Sequence, residues 1–548
     1  MGGSRSPLNI FKMPLGDDPR EVLNWRLWFA VFSFGIMGAA RGVDEGLISG
    51  TLDSADFRNL LHLPNVDSPE YAEVKATISS MVSIGSVAGA GLAFILCDRI
   101  GRLWATRQLC VIWVIGIVIF MCNNGNLGMV YGGRLIAGLG IGQASVVAPI
   151  YLSEISPKSI RGLCTTTFAG SVYIGIMLAY FASWGASLHI SPNTSTRWLL
   201  PTSLHLMFAT IIGTLSFFNY ESPRYLIKCG KDTQAAKNLS RIRNLPENHG
   251  AIVRELCEIQ AQLEEERSAT LGRGWVSIVR EMFATPSNFY RIYLGFTVQI
   301  LTQWCGAQSI TVYAPDFFRL AGVSGQNEKL FATCILGVVK FVGALVCAFF
   351  LVDVIGRKRS LGIGITIQTA SMAYIAIFLS IVGTPDPSSF TPSQKSASIG
   401  AIVMIYLCSF GWALGWNGIQ YLINAEIYPL RIRAVSASLI MMLHFVNQYG
   451  ANRAVPLMLL PLSQGGMDPA GAFWFFVAVS SFSALWAWFF IPETSGLSLE
   501  AMDRLFTLPW YKIGRYGQSE AQVLLDARDE KVDEITKRRE IAVHVEAI

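Results

Sequence analysis

Twelve runs of about twenty apolar residues, separated by polar loops, limit what this chain can fold into more than any other feature. They lie near 27–50, 73–97, 105–123, 128–152, 163–185 and 198–219, then 291–317, 329–352, 360–383, 397–424, 434–460 and 470–491. A run of that length matches the hydrocarbon thickness of a bilayer. There, each backbone N–H and C=O needs a partner within its own segment, so every run is expected to be a spanning helix. Only 15% of the 548 residues are charged, against about a quarter in soluble proteins. The expected fold class is therefore an all-α membrane protein. Its parts are a polar segment 1–26, a six-helix half 27–219, a helical linker 220–290, a second six-helix half 291–491 and a tail 492–548.

Charge sets the expected orientation. The net charge is +5, but the basic residues sit in short clusters between spans, so they speak of topology and not of nucleic acid. Arg99, Arg102 and Arg107 follow the second span, and Arg357, Lys358 and Arg359 follow the eighth, whereas loops 51–72 and 384–396 are poor in Lys and Arg. Both termini and the linker are thus expected in the cytosol. Asn193-Thr194-Ser195 falls on the outer side as a glycan acceptor. The first 25 residues are polar and the first apolar run is long enough to span, so no cleaved signal peptide is expected. Ten scattered cysteines show no C-x-x-C pair, which supports neither a disulfide scaffold nor a zinc site. With no H-E-x-x-H, nucleotide loop or G-x-S-x-G, no enzyme, metal or cofactor is expected.

An internal repeat gives the architecture. Asp98-Arg99-Ile100-Gly101-Arg102 recurs as Asp353-Val354-Ile355-Gly356-Arg357. The run from Glu154 to Arg161 has a looser counterpart from Glu426 to Arg433, and Glu221-Ser222-Pro223 mirrors Pro492-Glu493-Thr494. Glu154 and Glu426 stand 272 residues apart, as do Glu221 and Glu493. Duplicated halves of six spans place a binding site at their interface, near the midplane.

In this order and spacing the motifs resemble those of the sugar porter family of the major facilitator superfamily, from the first span to Phe506. The matching text includes Gly133-Arg134 through Gly142, Pro149 through Arg161-Gly162, Glu221 to Arg224, Asp353 to Lys358, Glu426 to Arg433, and Pro492 to Glu500. The resemblance, closest to fungal-type members, implies two pseudo-symmetric six-helix halves and secondary transport of a hexose, pentose, polyol or quinate, often with protons. It makes a monomer in the plasma membrane the expectation, with a small solute, protons and lipid as partners. An exporter of a small metabolite and a transporter-like nutrient sensor are the alternatives. The motif charges are expected to pair across the halves when the outer side is open, and to part when the inner side opens. They are Asp98, Arg99, Arg102, Glu154, Arg161, Glu221 and Arg224 in one half, with Asp353, Arg357, Glu426, Arg433 and Glu493 in the other. Phe94 departs from the family, standing where the loop motif usually begins with Gly.

Ionisable residues inside a span need partners or a function. The first span carries Arg41, Asp44 and Glu45, which can share one side of a helix. The resemblance makes Asp44 the proton-coupling acid and Arg134 its partner; Glu45 could do the same work, and a purely structural cluster is the plain alternative. The sugar-binding positions depart most from the family. Its seventh-span Gln-Gln-x-x-Gly-x-Asn reads here Thr302-Gln303-Trp304-Cys305-Gly306-Ala307-Gln308. Ala169 replaces the fifth-span glutamine, Tyr421 the tenth-span tryptophan and His444-Phe445 the eleventh-span Asn-Trp, while the eighth-span asparagine falls on Lys340 or Phe341. Gln303, Gln308, Tyr313, Asn417, Tyr421 and His444 remain to hydrogen-bond a polyol, with fewer amides than a hexose site. Lys340, if it faces the cavity, favours an anionic solute.

Overall fold

The computed structural model describes residues 19–66, 68–157, 160–270, 275–347, 355–383, 390–493 and 505–514. The first span is two helices, Trp25–Gly35 and Met37–Asp53, with Asn24 capping the start by accepting from the N–H groups of Arg26 and Leu27. Spans two to five are the helices Pro69–Ile100, Arg102–Met121, Leu127–Ile155 and Arg161–His189, and the sixth joins Thr196–Thr202 to Leu204–Phe218. Four linker helices follow, Pro223–Lys228, Asp232–Arg243, Gly250–Thr270 and Trp275–Ala284. In the second half the seventh span is three pieces, Pro286–Trp304, Ala307–Val312 and Ala314–Leu320. The eighth and ninth are Gln326–Val346 and Arg357–Val382, and the tenth is Pro392–Leu414 with Trp416–Glu426. Leu430–Met458 and Asp468–Phe490 complete the twelve.

Glycine explains the close packing of the first half. A methyl group added at Gly85 would lie 2.1 Å from the Leu135 carbonyl, and one at Gly138 2.3 Å from that of Val82. The second and fourth spans therefore touch backbone to backbone, which only small residues permit. The seventh span breaks at Gly306, whose φ is +84° and whose added methyl would meet the Phe476 ring at 2.6 Å. A left-handed backbone and a ring pressed against it both require glycine there.

Nine helical stretches among the described residues are long and apolar enough to cross a membrane by length and composition alone. The first, seventh and eleventh spans are not among them. Those three are interrupted or carry charged and amide side chains, and they line the centre of the molecule. The linker docks on the first half: Arg243 pairs with Glu255 at 2.6 Å and donates to the Ile155 carbonyl at 2.7 Å.

Candidate functional site

A polar cavity lies between the halves. The first half contributes Arg41, Glu45, Ala169 and Tyr173; the second contributes Gln303, Gln308, Lys340, Trp412, Asn417, Gln420, Tyr421 and His444. Arg41, from the first span, reaches across it. Its Nη1 donates to the Tyr421 hydroxyl at 2.6 Å, its Nη2 meets His444 Nε2 at 2.9 Å, and its Nε pairs with Glu45 at 3.1 Å. A guanidinium can only donate, so His444 Nε2 must accept, and the ring proton sits on Nδ1. That proton goes to Gln299 Oε1, 2.8 Å away. His444 is therefore neutral here, and Gln303 Nε2, 3.3 Å from Nδ1, faces a nitrogen already acting as donor. Gln448 donates to Glu45 at 3.2 Å, a second link between the halves.

Several groups in the lining lack partners. Gln303 Oε1, Gln308 Nε2 and Gln420 Oε1 are buried and make no hydrogen bond among the described residues. Each such group costs about 1–3 kcal/mol when left unmade, so a cluster around one cavity marks where a solute would bond. Lys340 is 1% exposed and donates to the Thr311 hydroxyl. Phe341, its alternative in the register, instead packs partly buried against the hydrophobic core. Tyr313 does not line the cavity: its hydroxyl donates to the Asn452 carbonyl at 2.7 Å.

A second cavity shares Arg41 and Glu45 with the first and is also lined by Asp44 and Arg134. Arg134 holds Asp44 by two contacts, at 2.6 and 3.4 Å, wholly within the first half, and His205 Nε2 stands 3.9 Å from the same carboxylate. The Arg41–Glu45 pair, which lines both cavities, thus stands between the acid and the first cavity.

The two faces of the molecule differ. On the face away from the linker, polar contacts join the halves: Lys75 to Asp316, Arg453 to Glu73 at 3.0 Å, and Gln326 to the Asp53 carbonyl at 3.0 Å. That face is closed. On the linker face, the contacts the structure describes close within each half, not across the halves as the motif spacing suggested for the opposite state. Arg102 binds Glu154 through two bonds of 2.8 and 2.6 Å, and Asp98 pairs with Lys228 at 2.7 Å. Glu221 accepts the N–H groups of Arg102 and Leu103, both at 3.1 Å, capping the third span. Glu493 repeats this for Arg357 and Lys358 on the ninth, at 3.0 and 3.1 Å. Arg99 and Arg161 are exposed and Arg224 is half-buried. Asp353 and the side chains of Glu426 and Arg433 lie outside the described residues.

Gln299, Gln420 and Gln448 escaped the reading of the sequence. A signal existed: each lies one helical turn from a residue that reading singled out, at Gln303, Asn417 and His444.

Two six-helix halves with a polar cavity at their interface define a membrane transporter of the major facilitator fold. The chain belongs to the sugar (and other) transporter family, whose model matches residues 30–506. It is similar to a "probable quinate permease" of Aspergillus flavus, 29% identical over 490 residues that cover 89% of each chain. The corresponding protein of Neosartorya fischeri is 30% identical over 492 residues, again 89% of each. Among solved structures it is similar to the proton:xylose symporter XylE bound to 6-bromo-6-deoxy-D-glucose. There the TM-score is 0.72 at 22% identity, covering 88% of this chain and 99% of that one. A partially occluded inward-open form of XylE from E. coli gives a TM-score of 0.70 at 20% identity, covering 87% and 100%.

Proposed function

We propose that this protein is a proton-coupled carrier that takes up a small polyhydroxylated solute, a sugar, a polyol or a quinate-like acid, by alternating access. The observation that carries the reading is the interface cavity with its unpartnered amides, separated by one ion pair from the buried Asp44–Arg134 pair. In this reading Gln303, Gln308, Asn417, Tyr421, His444 and Lys340 receive the solute, and Asp44 carries the proton. Glu45 and Arg134 set when it is released. The charges of the linker face, Arg102, Glu154, Arg357 and Glu493 among them, steady each half as it moves. The names of the relatives, a quinate permease and a proton:xylose symporter, agree with the solute class and the coupling.

The termini and the linker face the cytosol in this proposal, the membrane is the plasma membrane, and the working unit is a monomer. The test is uptake into proteoliposomes of labelled D-xylose, inositol and quinate, with and without an inward proton gradient. Accumulation of one of them that collapses with the gradient is expected; no gradient-driven accumulation of any would overturn the reading. For orientation, Glu264→Cys should react with an impermeant maleimide only after cells are permeabilised. Labelling of intact cells would reverse it.

A further inference from the structure

Three charged side chains line the central cavity among the described residues, and they do not cancel. Arg41 and Glu45 neutralise one another at 3.1 Å, and the remaining guanidinium nitrogens of Arg41 are engaged by Tyr421 and His444. The adjacent Arg134 is likewise matched by Asp44. Lys340 has no carboxylate within 4 Å among the described residues, and its described contact is a neutral hydroxyl, that of Thr311. It is buried, it lies on the eighth span facing the cavity, and it stands across from amides that also lack partners. A buried ammonium is costly unless an anion meets it, and among the described residues the one carboxylate of this lining, Glu45, is already paired with Arg41.

We infer that the cavity is built for a solute bearing one carboxylate beside several hydroxyls, with the carboxylate on Lys340 Nζ and the hydroxyls on Gln303, Gln308 and Gln420. This rests on the transporter reading above and narrows its solute class to small hydroxylated monoanions. A neutral sugar of the same size would satisfy the amides and leave the ammonium bare. A dianion would bring one charge too many, because Glu45 already holds Arg41.

The test uses the full-length protein in detergent and two probes that differ in charge alone, quinate and its uncharged methyl ester. Quinate is expected to bind at least about ten-fold tighter than the ester, the scale of one charge-assisted hydrogen bond. Lys340→Met should remove most of that preference while leaving ester binding within about three-fold, and Lys340→Arg should restore it. Equal affinity for acid and ester in the wild type would overturn the anion assignment and leave the carrier reading standing. So would a Lys340→Met protein that loses both ligands alike. Should the Met variant not fold, the wild-type acid–ester comparison decides the matter alone. Folded wild type that binds quinate, ester and D-xylose not at all would overturn both readings.

Discussion

Lys75 of the second span donates to Asp316 of the seventh at 2.6 Å, tying one half to the other on the face away from the linker. Both side chains are mostly shielded, at 13% and 23% exposure, so solvent screens the pair only in part. Asp316→Asn should shift the closed–open balance of that face by about 1 kcal/mol, roughly five-fold in population. An impermeant maleimide should then label Val312→Cys, a buried position lining the second cavity, correspondingly faster. Unchanged labelling would show that Arg453–Glu73 and the Gln326 contact suffice to hold the face shut.

Truncating Gln303 to alanine removes an amide whose oxygen has no partner among the described residues. Solute affinity should fall by about 1–3 kcal/mol if that oxygen accepts from the solute. Equilibrium binding to purified protein measures it, and an affinity that does not move places the solute elsewhere.

Asp44→Asn keeps shape and removes the ionisable group held by Arg134. Uphill accumulation should vanish while equilibrium exchange of solute survives, because exchange needs the cavity and not the proton. Continued accumulation with the wild-type pH dependence would assign the proton to Glu45 or to no residue in this cluster.

Removing a cap should cost stability without touching the cavity. Glu221→Ala leaves the N–H groups of Arg102 and Leu103 unmet, and Glu493→Ala does the same to Arg357 and Lys358. Each should lower stability by about 1–3 kcal/mol, and the double variant by close to the sum, since the sites lie in different halves. Burial also raises the Glu221 carboxyl above the ordinary carboxylate range, against the pull of its three backbone donors. The folded state then binds this proton more readily than the unfolded one. Its contribution therefore declines as pH rises from the ordinary value through the raised one. The advantage of wild type over Glu221→Gln in thermal unfolding should shrink over the same window.

The fold was legible because lipid leaves the chain few options: a run long enough to span must be a helix, and twelve helices match the twelve runs. The Asp44–Arg134 pair was legible because its two residues fall on recognisable motifs. The breaks were not. Gly306 turns left-handed under the ring of Phe476, which lies far along the chain and is visible only once the halves are packed. Whether Lys340 or Phe341 faces the cavity also needed the helix register, since counting from either flank gave a different residue. The reach of Arg41 to Tyr421 and His444 was hidden for a similar reason, because a contact across the halves belongs to one conformational state and leaves no periodicity behind.

The twin caps bear on how such a chain can be assembled and divided. Gly101 and Gly356 both adopt a positive φ, +87° and +100°, and at each an added methyl would strike the capping carboxylate at 2.6 Å. The two halves thus share this joint, a glycine at a helix start closed by a glutamate of the same half. A joint that closes inside its own half asks nothing of the other. Severing the covalent connection in the linker should thus leave two polypeptides that recombine when made together, because no described cap or guanidinium–carboxylate clasp on that side has to be shared between them.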